Sequence, residues 1–173
     1  MPKKLKIIKV YTHILGMVIS VTFLLFINVN NCGITVSSSL KIKKLTGEHY
    51  MSNWDKNLFI DHLREQCSRE VAKVGVAIIE FTEKFADDVS WGRGTDHGTL
   101  TFRCNTDIGP LPLFHLTSSG QLNLQINFMR SKDIPPMVVR DVVLKLESNF
   151  IRDYDEVEYP SDVFVPIDEL FHT

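Results

Sequence analysis

The sequence predicts an α+β domain: two N-terminal helices, a four-stranded antiparallel meander, then a C-terminal helix and an extended tail, all preceded by a hydrophobic leader. Three observations predict it. Apolar residues recur at helical spacing between residues 69 and 86, and the period switches to two between 89 and 128. The turns joining the two-periodic runs are short, which makes consecutive strands antiparallel.

The first helix spans about 53–66. Ser52-Asn53-Trp54-Asp55 has the S-x-x-D form of a helix start, with Ser52 as cap and Asp55 near the positive end of the dipole. Leu58, Phe59, Leu63 and Cys67 follow near helical spacing. Ser68-Arg69-Glu70 opens a second helix over 69–86, where Val71, Val74, Ile78, Phe81 and Phe85 form one apolar stripe. Gly75 inside it costs about 1 kcal/mol relative to Ala unless it permits a close contact.

Val89-Ser90-Trp91 is a short strand, and Gly92 to Gly98 is a turn-rich connection. Thr99 to Cys104 alternates as a half-buried strand should, and Asn105 to Pro110 reads as a loop. Leu111 to Thr117 is the third strand, weakened at its start by Pro112. Ser118-Ser119-Gly120 turns the chain tightly, and Gln121 to Phe128 alternates strictly as the fourth strand. One face of such a meander packs and the other stays wet. Pro135-Pro136 opens a third helix with Val138, Val139, Val142, Val143 and Leu146 on its apolar face. Asp153 to Glu158 is an acidic link, Tyr159-Pro160 breaks the pattern, and Val163 to Ile167 is extended before a terminal turn.

Charge divides the 173 residues into two parts. Residues 1–45 carry seven Lys and no acid, a net +7, whereas residues 46–173 carry 12 Lys and Arg against 21 Asp and Glu, a net −9. The near-neutral total of −2 is their cancellation. Within the basic part, Ile14 to Val29 is sixteen residues without a charge. That is short for a membrane span of roughly 20 residues and long for a signal-peptide core of roughly 7–15. Lys3, Lys4, Lys6 and Lys9 supply the basic flank that either reading needs. A third reading starts translation at Met51, because Gly47-Glu48 can be encoded as a GGAG-containing ribosome-binding site just upstream. The expected organisation is a leader over 1–45 (signal-anchor, signal peptide or mis-called start) and a single acidic domain over 46–173. The protein is then membrane-anchored through Ile14 to Val29 if the leader is translated, and cytoplasmic if translation starts at Met51.

The domain also resembles an uncharacterised bacterial α+β family. The likeness rests on Leu58-Phe59, Trp91-Gly92-Arg93-Gly94, Gly98-Thr99, Leu113-Phe114, Gly120, Arg140, Tyr159-Pro160-Ser161 and Val165-Pro166-Ile167. It covers about residues 54–170 and implies a fold and a bacterial origin, with no activity attached. The chain ends soon after Ile167, where the family continues into another helix.

The stretch from Trp91 to Gly98 carries the most chemistry. Its glycines, with Arg93 and His97, could cradle a phosphate through backbone N–H groups. It lacks the GK[ST] ending of a Walker loop and the β-α-β setting of a dinucleotide fingerprint. As a plain hairpin loop it needs the same glycines, and Trp91 then packs against the sheet. His97, His115 and Asp96 have no metal-ligand spacing, so no metal and no cofactor are expected. His115, between Phe114 and Leu116, reads as a sheet-face residue with one hydrogen bond, and His62 as a surface or boundary residue. The strand Gln121–Phe128 has neither the acid nor the Lys of a PD-(D/E)xK nuclease, and Glu80-Phe81-Thr82-Glu83-Lys84 sits on a helix. Ser118-Ser119-Gly120 is a turn rather than a nucleophile elbow. Three scattered cysteines build neither a disulfide framework nor a zinc site, and Cys104 reads as a buried thiol.

A net −9 opposes nucleic-acid binding unless Arg93, Arg103, Arg130 and Lys132 gather on one face. The cluster Asp153, Asp155, Glu156, Glu158 and Asp162 suits solvent or a basic protein partner. The expected function is a non-catalytic binding or interaction module with contact residues Trp91, Arg93, His97 and Arg103, and no catalytic residue. The alternative is a nucleotide- or nucleic-acid-processing enzyme built on Arg93, Asp96 and His97.

Overall fold

A computed structural model describes residues 54–92, 94–106, 108–132, 134–150, 153 and 164–171. The elements run α1 (Lys56–Gln66), α2 (Arg69–Phe85), β1 (Asp88–Trp91), β2 (Thr99–Thr106), β3 (Gly109–Thr117) and β4 (Gln121–Leu124). They continue with α3 (Ile126–Arg130), α4 (Pro136–Phe150), β5 (Val165–Pro166) and α5 (Ile167–Phe171). The leader, including Ile14 to Val29, lies outside the described residues, as do Ser52 and most of the acidic link. Among the described residues no helix is long and apolar enough to cross a membrane.

The architecture is α+β around a five-stranded antiparallel sheet in the order β1-β2-β3-β4-β5. The meander is therefore one strand wider than the alternation suggests. The extra strand comes from the tail: Val165 pairs with Leu122 and Pro166 with Gln121. Pro166 is tolerated because β5 is an edge, where one missing donor faces away from the ladder.

The fourth strand is also shorter than its pattern. It ends at Leu124, and Ile126 to Arg130 turns into a helix. Leu124 pairs with Phe114, and Gln125 still donates its N–H to the Leu113 carbonyl at 3.0 Å. The ladder stops there, and Ile126 and Met129 bury from a helix instead.

Helix α1 also starts differently. Asp55 is itself the cap, accepting from the Leu58 N–H at 2.9 Å through Oδ1. Ser68 caps α2 in the same way through Val71 N–H. The α2 stripe buries Val71, Val74, Ile78 and Phe81. Gly75 permits close packing of α1, since a Cβ there would lie 2.5 Å from Leu63 Cδ2.

The helix-facing side of the sheet carries Leu100, Phe102 and Cys104 from β2, Phe114 and Leu116 from β3, and Leu122 and Leu124 from β4, all buried. Phe81 of α2 stacks on Phe102 at 5.8 Å, and Phe102 stacks on Phe114 at 5.0 Å, an aromatic run from helix to sheet. Phe150 of α4 meets Phe171 of α5 edge to face at 5.3 Å, which ties the C-terminal helices to the same core.

Candidate functional site

The glycine-rich hairpin is fastened to the first helix by an indole. Trp54, just before α1, donates its Nε1–H to the Gly94 carbonyl at 2.8 Å. Its ring lies over Gly98, where a Cβ would come within 2.6 Å of the indole and 2.9 Å of Phe59. Gly98 is glycine because an aromatic ring occupies the space a side chain would need. The loop's amides are engaged within the fold too. Gly92 N–H donates to Thr99 O at 2.6 Å, and Gly98 N–H donates to Ser118 Oγ at 2.9 Å. Two of the N–H groups that a phosphate cradle would use are therefore spoken for.

A second arrangement lies on the other side of the sheet. Cross-strand register places Ser90 opposite Thr101, Thr101 opposite His115, and His115 opposite Asn123. These four alternate with the core residues, so they share the face turned away from Phe102 and Leu100. Thr101 Oγ1 lies 2.8 Å from His115 Nδ1. Asn123 Oδ1 accepts from Gln125 Nε2. A β-bulge at Leu113 of β3 shifts the register between Phe102 and Arg103, while β2 itself keeps its alternation, so Arg103 shares the face of Thr101. Arg103 pairs with Asp88 across the strands and reaches along β1, donating from Nη1 to Ser90 Oγ at 2.6 Å and to Asp88 Oδ2 at 3.1 Å.

The face is polar, but it is not simply wet. Thr101, Asn123 and Gln125 are buried, whereas Ser90, Arg103 and His115 are half-buried. Burial, and then the Arg103 guanidinium, push His115 below the ordinary histidine value of 6.5. Both effects disfavour an imidazolium, the first by withholding solvent and the second by like charge. His115 is thus a neutral imidazole held through one nitrogen by Thr101.

Of the expected contact residues, Trp91 and Arg103 fall on opposite faces. Trp91 pairs with Leu100 and sets its ring 5.4 Å from Phe59 on the helix side. Arg103 belongs to the polar face. His97 is exposed on the hairpin, as is Asp96, and Arg93 lies outside the described residues. His62 is half-buried with Nδ1 at 3.3 Å from the Ser118 carbonyl, its ring 5.3 Å from Trp54. Cys104 is in the core, not in a disulfide, and on the face opposite His115. Among the described residues no three His, Cys, Asp or Glu side chains group as metal ligands.

The sequence reading passed over Ser90, Thr101, Asn123 and Gln125. One signal for them was present: a tight turn centred on Ser119 pairs His115 with Asn123 without further information. Comparison with protein-family models, with curated proteins and with solved structures finds no match for this chain.

Proposed function

We propose that the domain is a non-catalytic binding module whose contact surface is the polar sheet face of Ser90, Thr101, Arg103 and His115. The observation that carries this reading is that three hydrogen-bonded groups lie side by side on one face of four strands: Asp88, Arg103 and Ser90; Thr101 and His115; and Asn123 and Gln125. A sheet face that only had to meet solvent would need no buried Asn and no Arg held by two hydrogen bonds. Rigid strands hold these groups in place, which suits recognition because little ordering entropy is lost on binding. The glycine hairpin, with Arg93 and His97, stands as a second contact region on its own loop. The resemblance to a small bacterial module agrees with this reading and adds no activity to it. If the leader is translated, Ile14 to Val29 holds the module at a membrane.

A fragment screen on the full chain by amide NMR tests the reading. Fragments are expected to perturb Ser90, Thr101, Arg103 and His115 together, and to be recovered chemically unchanged. Hits confined to other surfaces, or fragments consumed by the protein, would overturn it.

A further inference from the structure

We infer that the polar face binds a small ligand through a single oxyanion, a carboxylate or a phosphate, seated on the free edge of the Arg103 guanidinium. This inference rests on the binding-module reading and names the ligand chemistry of the same surface.

The first support is the geometry of Arg103. Both of its hydrogen bonds use Nη1, so the Nε and Nη2 edge meets no acceptor among the described residues. That edge is a planar pair of donors whose spacing matches two oxygens of one carboxylate or phosphate. The Ser90 and Asp88 bonds fix the guanidinium plane, so the fork is already oriented.

The neighbouring groups supply the second support. His115 is held by Thr101 through Nδ1, which leaves Nε2 without a protein partner among the described residues. The titratable and charged groups of this face are Asp88, Arg103 and His115, and Ser90, Thr101 and Asn123 are uncharged. Asp88 is bonded to Nη1, away from the open edge, with a side chain 57% exposed against 32% for its partner. An exposed pair of this kind is worth little, so Arg103 keeps most of its attraction for a second anion on the open edge.

The third support is the sign of the whole domain. Residues 46–173 carry a net −9, which repels a polyanion along its whole length. A ligand with one oxyanion and an uncharged body meets only the local field of Arg103, because charges beyond about 10 Å are screened at 0.1 M salt. The body of the ligand then lies over the half-buried His115, which donates or accepts without a net charge.

The test uses the full 173-residue chain labelled at arginine Nε and histidine, titrated separately with inorganic phosphate and with acetate. A saturable shift of the Arg103 Nε–H signal is expected with at least one of them, accompanied by a shift of His115. Phosphate alone identifies a phosphate-bearing ligand, acetate alone a carboxylate, and both together a general oxyanion seat. Arg103→Lys keeps the charge and loses the fork, and should weaken binding by about fivefold or more. Asp88→Asn removes the neighbouring negative charge and should tighten it. The inference is overturned if neither anion saturates, if Arg103→Lys binds as the parent does, or if Arg140 shifts as much as Arg103. Fragments landing on this face while neither anion binds would sink the ligand class alone and leave the binding surface standing.

Discussion

Trp54 Nε1 donates to the carbonyl of Gly94, forty residues away in sequence, and so ties the entry to α1 to the hairpin between β1 and β2. Trp54 is also buried, with its ring edge to face against Phe59 and against His62. The bond and the packing can be separated experimentally. Trp54→Phe keeps most of the ring and loses the donor to the Gly94 carbonyl, which should cost about 1 kcal/mol. Trp54→Ala removes the packing as well and should cost about 3–5 kcal/mol. Urea unfolding of the two variants checks the split. Equal losses would show that the indole N–H is the dominant part.

Gly98→Ala should destabilise the domain by about 1–3 kcal/mol, because its new methyl would press on Trp54 and Phe59. The clash has a partner, so the cost is conditional. In a Trp54→Ala background the same substitution should cost much less, and a double-mutant cycle reads the coupling directly. Additive losses would mean that Gly98 is required for its backbone rather than for the space above it.

The helices and the core were legible because their signals are local. Val71, Val74, Ile78 and Phe81 lie within three turns of one helix, and the alternation of Leu100, Phe102 and Cys104 lies within one strand. The polar face was not, because Ser90, Thr101, His115 and Asn123 meet only through register across three hairpin connections. Each looks like an ordinary outward strand residue on its own. The misread end of β4 has the same origin. Gln125 to Phe128 alternates as a strand would, yet the pairing with β3 ends at Leu124 and the chain turns into α3. Trp54 sits within a helix-capping sequence, and nothing in its own segment announces a bond to Gly94.

His115 makes the stability of the fold depend on pH in a stated direction. Its folded value lies below the 6.5 of an ordinary histidine, from burial first and Arg103 second. The unfolded chain therefore binds the proton more readily than the native one does. The contribution is fully present above pH 6.5 and is lost as pH falls from there through the lower folded value. His115→Gln should flatten this part of the stability profile. Arg103→Gln should raise the His115 titration only partway, since burial remains. Imidazole NMR of the parent and the Arg103 variant reports both values, and a His115 midpoint at or above 6.5 would contradict the arrangement.

Cys67 should be a slow thiol, and the turn after β3 explains where it sits. Gly120 has φ +77°, and a Cβ there would come 2.7 Å from Cys67 Sγ and 3.0 Å from Val71 Cγ1. The thiol fills the space left by the missing side chain. Gly120→Ala should thus cost about 1–3 kcal/mol from the left-handed backbone alone, before any displacement of the sulfur. Burial, and then the nearby Asp168 carboxylate, raise the Cys67 thiol above its ordinary 9.0. A raised value means less thiolate at any pH below it, and the thiolate is what reacts. Alkylation by iodoacetamide at neutral pH should be slower than for an unhindered cysteine, with the rate still climbing above pH 9.0. Asp168→Asn removes the repulsion but not the burial, so it should move the rate profile toward lower pH without reaching the unhindered rate. A profile unchanged by Asp168→Asn would show that burial alone governs the thiol.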